Sequence, residues 1–157
     1  MEEEYMRKIC MQILICMLLP VLLIGCSNGK GKNEIDKAKE VNNLKINPEK
    51  AVYTDKRNSM DNKKVKKVVE VTFTIQNTGD KEIGIGAGDF SLFDEEGKNL
   101  ELYGYPNNFG DVINPGKELK GKGYYKMEEE KPSKLVFENP DGNKKIEWEI
   151  GEVKYEK

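Results

Sequence analysis

Histidine is absent from all 157 residues. The chain therefore lacks the side chain best suited to proton transfer near neutral pH, which is also the commonest metal ligand. Cysteine is almost as scarce. Of three, Cys10 and Cys16 lie inside an apolar stretch near the start, and Cys26 follows directly behind it. Once residues 1–25 are removed, Cys26 is the sole thiol. No intrachain disulfide can then form, and a thiol-ligated zinc site has too few ligands. No Ser-His or Cys-His pair can be built, so nucleophilic catalysis lacks its usual base. Paired carboxylates among 28 acidic residues discriminate nothing. Positive charge is not in excess either: 26 basic residues leave a formal net charge of −2. Glu2, Glu3, Glu4, Arg7 and Lys8 account for −1 of it. This balance gives no electrostatic case for nucleic acid, and nothing in the sequence calls for a cofactor.

Apolar runs of the ~20 residues needed to span a bilayer are missing as well. The longest goes from Ile9 to Leu23, interrupted by Gln12 and preceded by Arg7-Lys8. That length and basic start fit a secretory leader. Three glutamates ahead of Met6 are unusual there, so translation is expected to begin at Met6. The run ends in Leu23-Ile24-Gly25-Cys26, which resembles the bacterial lipoprotein signal: aliphatic, variable, small, cysteine. The resemblance implies cleavage between Gly25 and Cys26 and a diacylglyceryl thioether on the Cys26 sulfur. In many bacteria a further acyl group follows on the new amino terminus, and two or more chains are needed for stable anchoring. An uncleaved membrane anchor and a plain secretory signal are the competing readings. The spacing, the basic start and the polar sequence after Cys26 favour lipidation. Membrane lipid through Cys26 is thus the first expected partner, and the outer side of the cell membrane the expected location.

From Cys26 to residue 44 the composition is small, polar and charged, which predicts a flexible tether. A short helix from Glu34 to Val41 is the alternative for its second half. From residue 45 to 157 the apolar residues fall into period-two runs separated by turn residues, the mark of strands with one buried face. Val69, Val71, Phe73 and Ile75 form the clearest run, ending at Asn77-Thr78-Gly79-Asp80. Ile83 and Ile85, Phe90 and Leu92, then Leu100 and Leu102 follow. After the turn Asn114-Pro115-Gly116 come Leu119, Gly121, Gly123 and Tyr125. Leu135 and Phe137 lead through Asn139-Pro140-Asp141-Gly142-Asn143 to Ile146, Trp148 and Ile150, a hairpin signal. With a strand over Lys45 to Tyr53, seven or eight short strands predict an all-β sandwich.

The stretch from Val69 to about Ile150 resembles the DUF4352, telokin-like group of bacterial lipoprotein domains. The pieces that carry the resemblance are Val71-Thr72-Phe73-Thr74-Ile75-Gln76-Asn77-Thr78-Gly79-Asp80, Phe90-Ser91-Leu92-Phe93-Asp94 with Gly97, and Ile113-Asn114-Pro115-Gly116-Lys117-Glu118-Leu119 with Gly121. It implies an immunoglobulin-like antiparallel sandwich outside the cytoplasm. These are turn and core positions, so the resemblance carries no active site.

Candidate sites compete with plainer explanations. Ile83-Gly84-Ile85-Gly86-Ala87-Gly88 lacks the third glycine of a dinucleotide loop, since position 89 is Asp89. Glycines at a strand end explain it better. Tyr103-Gly104-Tyr105-Pro106-Asn107-Asn108-Phe109-Gly110 is the candidate partner loop. Tyr103, Tyr105 and Phe109 can stack on a sugar or grip a peptide, or fold back and cap the sandwich; the capping reading carries more weight. Lys63, Lys64, Lys66 and Lys67 would touch anionic wall polymers or headgroups, or simply keep a strand edge soluble. Glu128-Glu129-Glu130 reads as a solvated loop. Asp141 and Asn143 are fragments of a calcium loop without its full spacing. The expectation is therefore a membrane-anchored, non-catalytic interaction or ligand-binding module with an envelope protein or polymer as partner. An accessory subunit of an envelope transporter or sensor is the alternative, and a small hydrolase the remotest.

Overall fold

The strongest alternating run of the sequence lies in the middle of the larger of two facing sheets. In the computed structural model the described residues are 32–61, 65–139 and 144–156. Cys26 with its signal motif Leu23, Ile24 and Gly25 lies outside them, as do Met6, Lys63, Lys64, Asp141 and Asn143.

Eleven strands form among the described residues: β1 (Lys39–Val41), β2 (Leu44–Thr54), β3 (Lys67–Asn77), β4 (Ile83–Gly86), β5 (Phe90–Asp94), β6 (Asn99–Leu100), β7 (Gly110–Ile113), β8 (Glu118–Met127), β9 (Pro132–Glu138), β10 (Lys145–Glu149) and β11 (Lys154–Tyr155). The larger sheet has the order β1-β2-β3-β8, with β11 added parallel to β2 at Val52 and Tyr53. The facing sheet has the order β10-β9-β5-β6, and β4 pairs β7 in a small ribbon. Apart from β11, the pairings are antiparallel. This is the expected all-β sandwich, with β1, β7 and β11 added to the eight strands read from the sequence.

Alternation sets the core. Val69, Val71, Phe73 and Ile75 of β3 meet Phe90 and Leu92 of β5, Leu135 and Phe137 of β9, and Trp148 of β10 in one buried cluster. The sheets touch through aromatic rings, Phe73 on Phe90 at 4.4 Å, and within the facing sheet Phe90 lies against Phe137 at 5.2 Å. Tyr125 enters the same core. Its hydroxyl has no hydrogen-bond partner, and burial pushes its pKa far up.

Pro48 sits in β2 where the β3 register shifts, between Pro48 and Lys50. A bulge is where a strand tolerates a residue without an N–H. The Pro48 carbonyl instead accepts from Asp36 N at 2.8 Å. At the other end of β3, Asn77 is fully buried and its side-chain amide donates to the carbonyls of Lys81 (2.6 Å) and Ile113 (2.8 Å). The turn after β7 places Gly116 at φ +70, a conformation glycine adopts without strain, and Lys117 N closes it onto Asn114 O at 3.0 Å.

Two expectations are corrected. The second half of the expected tether belongs to the fold, and no helix forms over Glu34 to Val41. Glu34 N donates to Glu149 O at 2.7 Å, Gly151 N donates to Asn33 Oδ1 at 3.2 Å, and Trp148 Nε1 donates to Lys37 O at 2.7 Å. Lys39 Nζ reaches Glu147 O. The domain boundary moves from residue 45 to about Asn33. The physical reason is that β10 is an edge strand, and a chain passing beside it gains backbone and indole hydrogen bonds whatever its own polarity.

Candidate functional site: the outer face of the larger sheet

Residues of β3 that point away from the core are Val68, Glu70, Thr72 and Thr74; on β8 they are Lys120, Lys122, Tyr124 and Lys126. Register puts Glu70 opposite Tyr124 and Thr72 opposite Lys122. Glu70 is 2 % exposed. A carboxylate removed from water needs a cationic partner, and Glu70 has two. Lys122 Nζ donates to Oε1, and Lys56 Nζ donates to Oε2 at 2.6 Å. Desolvation raises the Glu70 pKa, but the Lys122 and Lys56 ammonium groups outweigh it and hold the carboxyl below its ordinary range. The same hydrogen bond raises Lys56 above the usual ammonium value. Burial, with the Glu70 carboxylate alongside, pushes Tyr124 up to about 12.

Two loops cover this charged centre. The β2–β3 loop is closed by Arg57, whose guanidinium donates to the carbonyls of Thr54 (2.9 Å), Val65 (3.2 Å) and Lys66 (3.0 Å). The β6–β7 loop is sewn onto β8 by Tyr103 N to Tyr124 O (2.7 Å) and Phe109 N to Lys122 O (2.9 Å). Asn108 adds a side-chain staple: its amide donates to Tyr103 O at 2.6 Å, and its carbonyl oxygen accepts from Tyr124 N at 2.9 Å. Asn58 joins the two loops, giving its backbone N–H to Tyr103 Oη and its amide to Gly104 O, both at 2.7 Å.

The structure separates the three aromatics of the candidate partner loop. Phe109 points into the sandwich, with its ring 5.4 Å from Phe73 and 6.0 Å from Phe90. Gly121 makes room for it, since a Cβ there would lie 2.3 Å from Phe109 Cβ. Tyr103 and Tyr105 go to the opposite side. Tyr103 is buried beside Val68 and Tyr124. Tyr105 is half-buried, tilted against Tyr124 at 4.5 Å and nearly parallel to Tyr103 at 6.3 Å. Lys56 Nζ stands 5.7 Å from the Tyr124 ring centre. Tyr105 and Lys56 thus form a shelf against Tyr124, and Lys56 shares the Glu70 carboxylate with Lys122; both lysine side chains are half-exposed.

Sequence reasoning missed Lys56, Glu70, Asn108, Lys122 and Tyr124. One signal was available: Tyr124 is a large aromatic in a row otherwise made of lysines, and an aromatic on an outward row needs cover. Elsewhere, the lysine cluster and the acidic run answer each other. Lys66 Nζ lies 3.2 Å from Glu129 and 3.6 Å from Glu128. Lys67 rests over the Tyr53 ring at 5.8 Å. Glu130 is held down to about 2 by the Lys98 ammonium and nearby backbone N–H groups. The glycines of Ile83 to Gly88 end β4 in a single 3₁₀ turn, where Asp89 accepts from Gly86 N at 2.8 Å. An open groove of about 560 Å³ lies at the β1–β2 turn, lined by Glu40, Asn42, Asn43, Thr78 and Lys145 among others. Among the described residues no three acidic or thiol side chains converge as metal ligands.

The sequence pattern described as "Domain of unknown function (DUF4352)" matches residues 33–153. The chain belongs to the DUF4352 family. The match starts at Asn33, where the hydrogen bonds to Gly151 and β10 begin. No curated protein matches the chain in sequence. Three solved structures resemble this DUF4352 domain. The ycdA protein of Bacillus subtilis subsp. subtilis str. 168, named a putative lipoprotein, is 16 % identical with a TM-score of 0.60, over 74 % of this chain and 38 % of that one. The chain therefore spans well under half of ycdA. The secreted protein MPT63 of Mycobacterium tuberculosis is 19 % identical, TM-score 0.55, over 68 % of this chain and 82 % of its own. The yjhA protein of Bacillus subtilis is 14 % identical, TM-score 0.57, over 74 % and 97 %. At these identities the likeness is one of fold.

Proposed function

We propose that this DUF4352 protein is a lipid-anchored, extracytoplasmic interaction module that works without catalysis. Its anchor would be a thioether-linked lipid on Cys26, and its contact surface the shelf around Tyr105. One observation carries the second point: a half-buried tyrosine ring and two half-exposed ammonium groups, Lys56 and Lys122, are fixed together on the outer face by Glu70 and two stapled loops. Fixed aromatic and cationic groups lose little entropy when a partner arrives, which is what recognition surfaces need. Anchoring is supported by Leu23-Ile24-Gly25-Cys26 after an apolar run too short to span a membrane. The non-catalytic reading is supported by the lack of histidine and by the commitment of Cys26 to lipid. The names of ycdA and MPT63 agree with an envelope or extracellular setting.

Two experiments test this. Cys26→Ser is expected to leave an unprocessed precursor without lipid label; normal maturation of the variant refutes the anchor. A photo-crosslinking residue at Tyr105 is expected to capture a partner in intact cells, while one at Ser91 on the other sheet is not. Equal capture from both positions removes the shelf as the contact surface.

A further inference from the structure

We infer that the Tyr105 shelf binds an acidic sugar, with the sugar ring on Tyr105 and its carboxylate on Lys56 and Lys122. The inference rests on the interaction-module reading and names the ligand class for the same surface.

The first argument is what solvent meets. Glu70 is 2 % exposed, whereas Lys56 and Lys122 each leave 41 % of the side chain exposed. The carboxylate lies beneath and the ammonium groups lie above it, two cations over one anion. Each ammonium has three N–H donors and gives one to Glu70. The donors that remain are matched by an incoming carboxylate. Glu156, which also acts on Lys56, is itself held by Lys50 at 2.6 Å. Glu49 accepts from Thr74 Oγ1 at 2.6 Å.

The second argument is preorganisation. A free lysine side chain gives up rotamer entropy when it is fixed. Here Glu70 has already fixed both, and Lys56 also rests against the Tyr124 ring at 5.7 Å. Arg57 and Asn108 hold the loops that carry Lys56 and Tyr105. A ligand therefore meets a surface already ordered.

The third argument is spacing, and it selects the sugar. Tyr105 lies 4.5 Å from Tyr124, and Lys56 Nζ lies 5.7 Å from the same ring. Aromatic ring and ammonium thus rest against one tyrosine, and Tyr105 is near enough to act electrostatically on Lys56. A ring-borne carboxylate reaches the cation while its own ring covers the tyrosine. An acidic peptide offers the charge without a saturated ring to stack, and a neutral glucan offers the ring without the charge.

The test is binding of the full-length protein, in detergent, to three immobilised polymers: polygalacturonate, poly-glutamate and dextran. Polygalacturonate is expected to bind at least tenfold more tightly than either of the others, with affinity falling as salt rises. Tyr105→Ala and Lys56→Gln are each expected to weaken it about tenfold, and Lys145→Gln, in the distant groove, to leave it unchanged. Near-native thermal melting of the two shelf variants assigns their loss to contact rather than unfolding. Equal binding of poly-glutamate and polygalacturonate overturns the sugar, as does unchanged affinity in both shelf variants. Absence of polygalacturonate binding, with Tyr105 crosslinking intact, overturns the acidic sugar and leaves the interaction module standing with a protein partner.

Discussion

On the inner face of β3, Val69, Val71, Phe73 and Ile75 are closed off from water by the second sheet. On its outer face, Val68 and Glu70 are closed off just as fully, by two loops. The inner burial is apolar, continuous and independent of any single hydrogen bond. The outer burial depends on named polar contacts: Arg57 to three carbonyls, Asn108 to Tyr103 and Tyr124, and Glu70 to two lysines. One strand thus has a face that holds the protein together and a face that holds a surface in shape. The lesson is that equal burial conceals unequal energetics, because dispersion and water exclusion add up over area while a stapled loop fails one bond at a time.

The two faces therefore respond differently to substitution. Phe73→Ala on the inner face removes a fully buried ring at the contact between the sheets, and is expected to cost about 3–5 kcal/mol. Urea denaturation reads this, and a loss under 1 kcal/mol contradicts the central place given to that ring. Asn108→Ala on the outer face is expected to cost about 1–2 kcal/mol, since Tyr124 N–H loses its partner and Tyr103 C=O one of two, keeping Tyr105 N–H. Hydrogen exchange should then rise in the 103–109 loop while β5 and β9 stay protected; uniform acceleration would erase the distinction between the faces.

Glu70→Gln is expected to cost about 1 kcal/mol near pH 7, a modest figure because both lysines are partly solvated. The pH dependence has a definite sign. The folded Glu70 pKa is depressed, so its contribution is complete above the unfolded carboxylate value, about 4.3, and fades as pH falls through the lower folded value. The stability gap between wild type and Glu70→Gln should accordingly close in acid. A gap that widens below pH 4 reverses the assignment. The smallest effect belongs to Lys50→Gln, which breaks an ion pair with Glu156 in which each side chain is about half exposed. Its expected effect is within error of zero in the same denaturation assay, because solvent screens so exposed a pair.

Much of the inner face was legible. Period-two alternation marks a strand with one wet side, so Val69 to Ile75, Leu135 with Phe137, and Ile146 with Trp148 could be placed before any coordinates. Strands β1 and β11 escaped because Lys39-Glu40-Val41 and Lys154-Tyr155 are too short and too charged to show alternation. They exist because β2 offers them free backbone groups. The same blindness hid the start of the fold, where Asn33, Glu34 and Lys37 read as solvated chain yet bond to Gly151, Glu149 and Trp148. At the candidate site the sequence named Tyr103, Tyr105 and Phe109 as one group. It could not see that Phe109 would turn inward over Gly121 while the tyrosines turned outward, because loop direction is set by the strands it crosses.

By itself the sequence determined the class of the molecule: behind an apolar run that ends at Cys26, a cysteine-free sandwich whose inward residues alternate along each strand. These are local properties, fixed by composition and by the twofold repeat of an extended backbone. Only the tertiary structure decided that Lys56, Glu70, Lys122 and Tyr105, drawn from two strands and two loops, share one surface. Their meeting depends on sheet register and on which loop crosses which strand, and neither is written in any single stretch of chain.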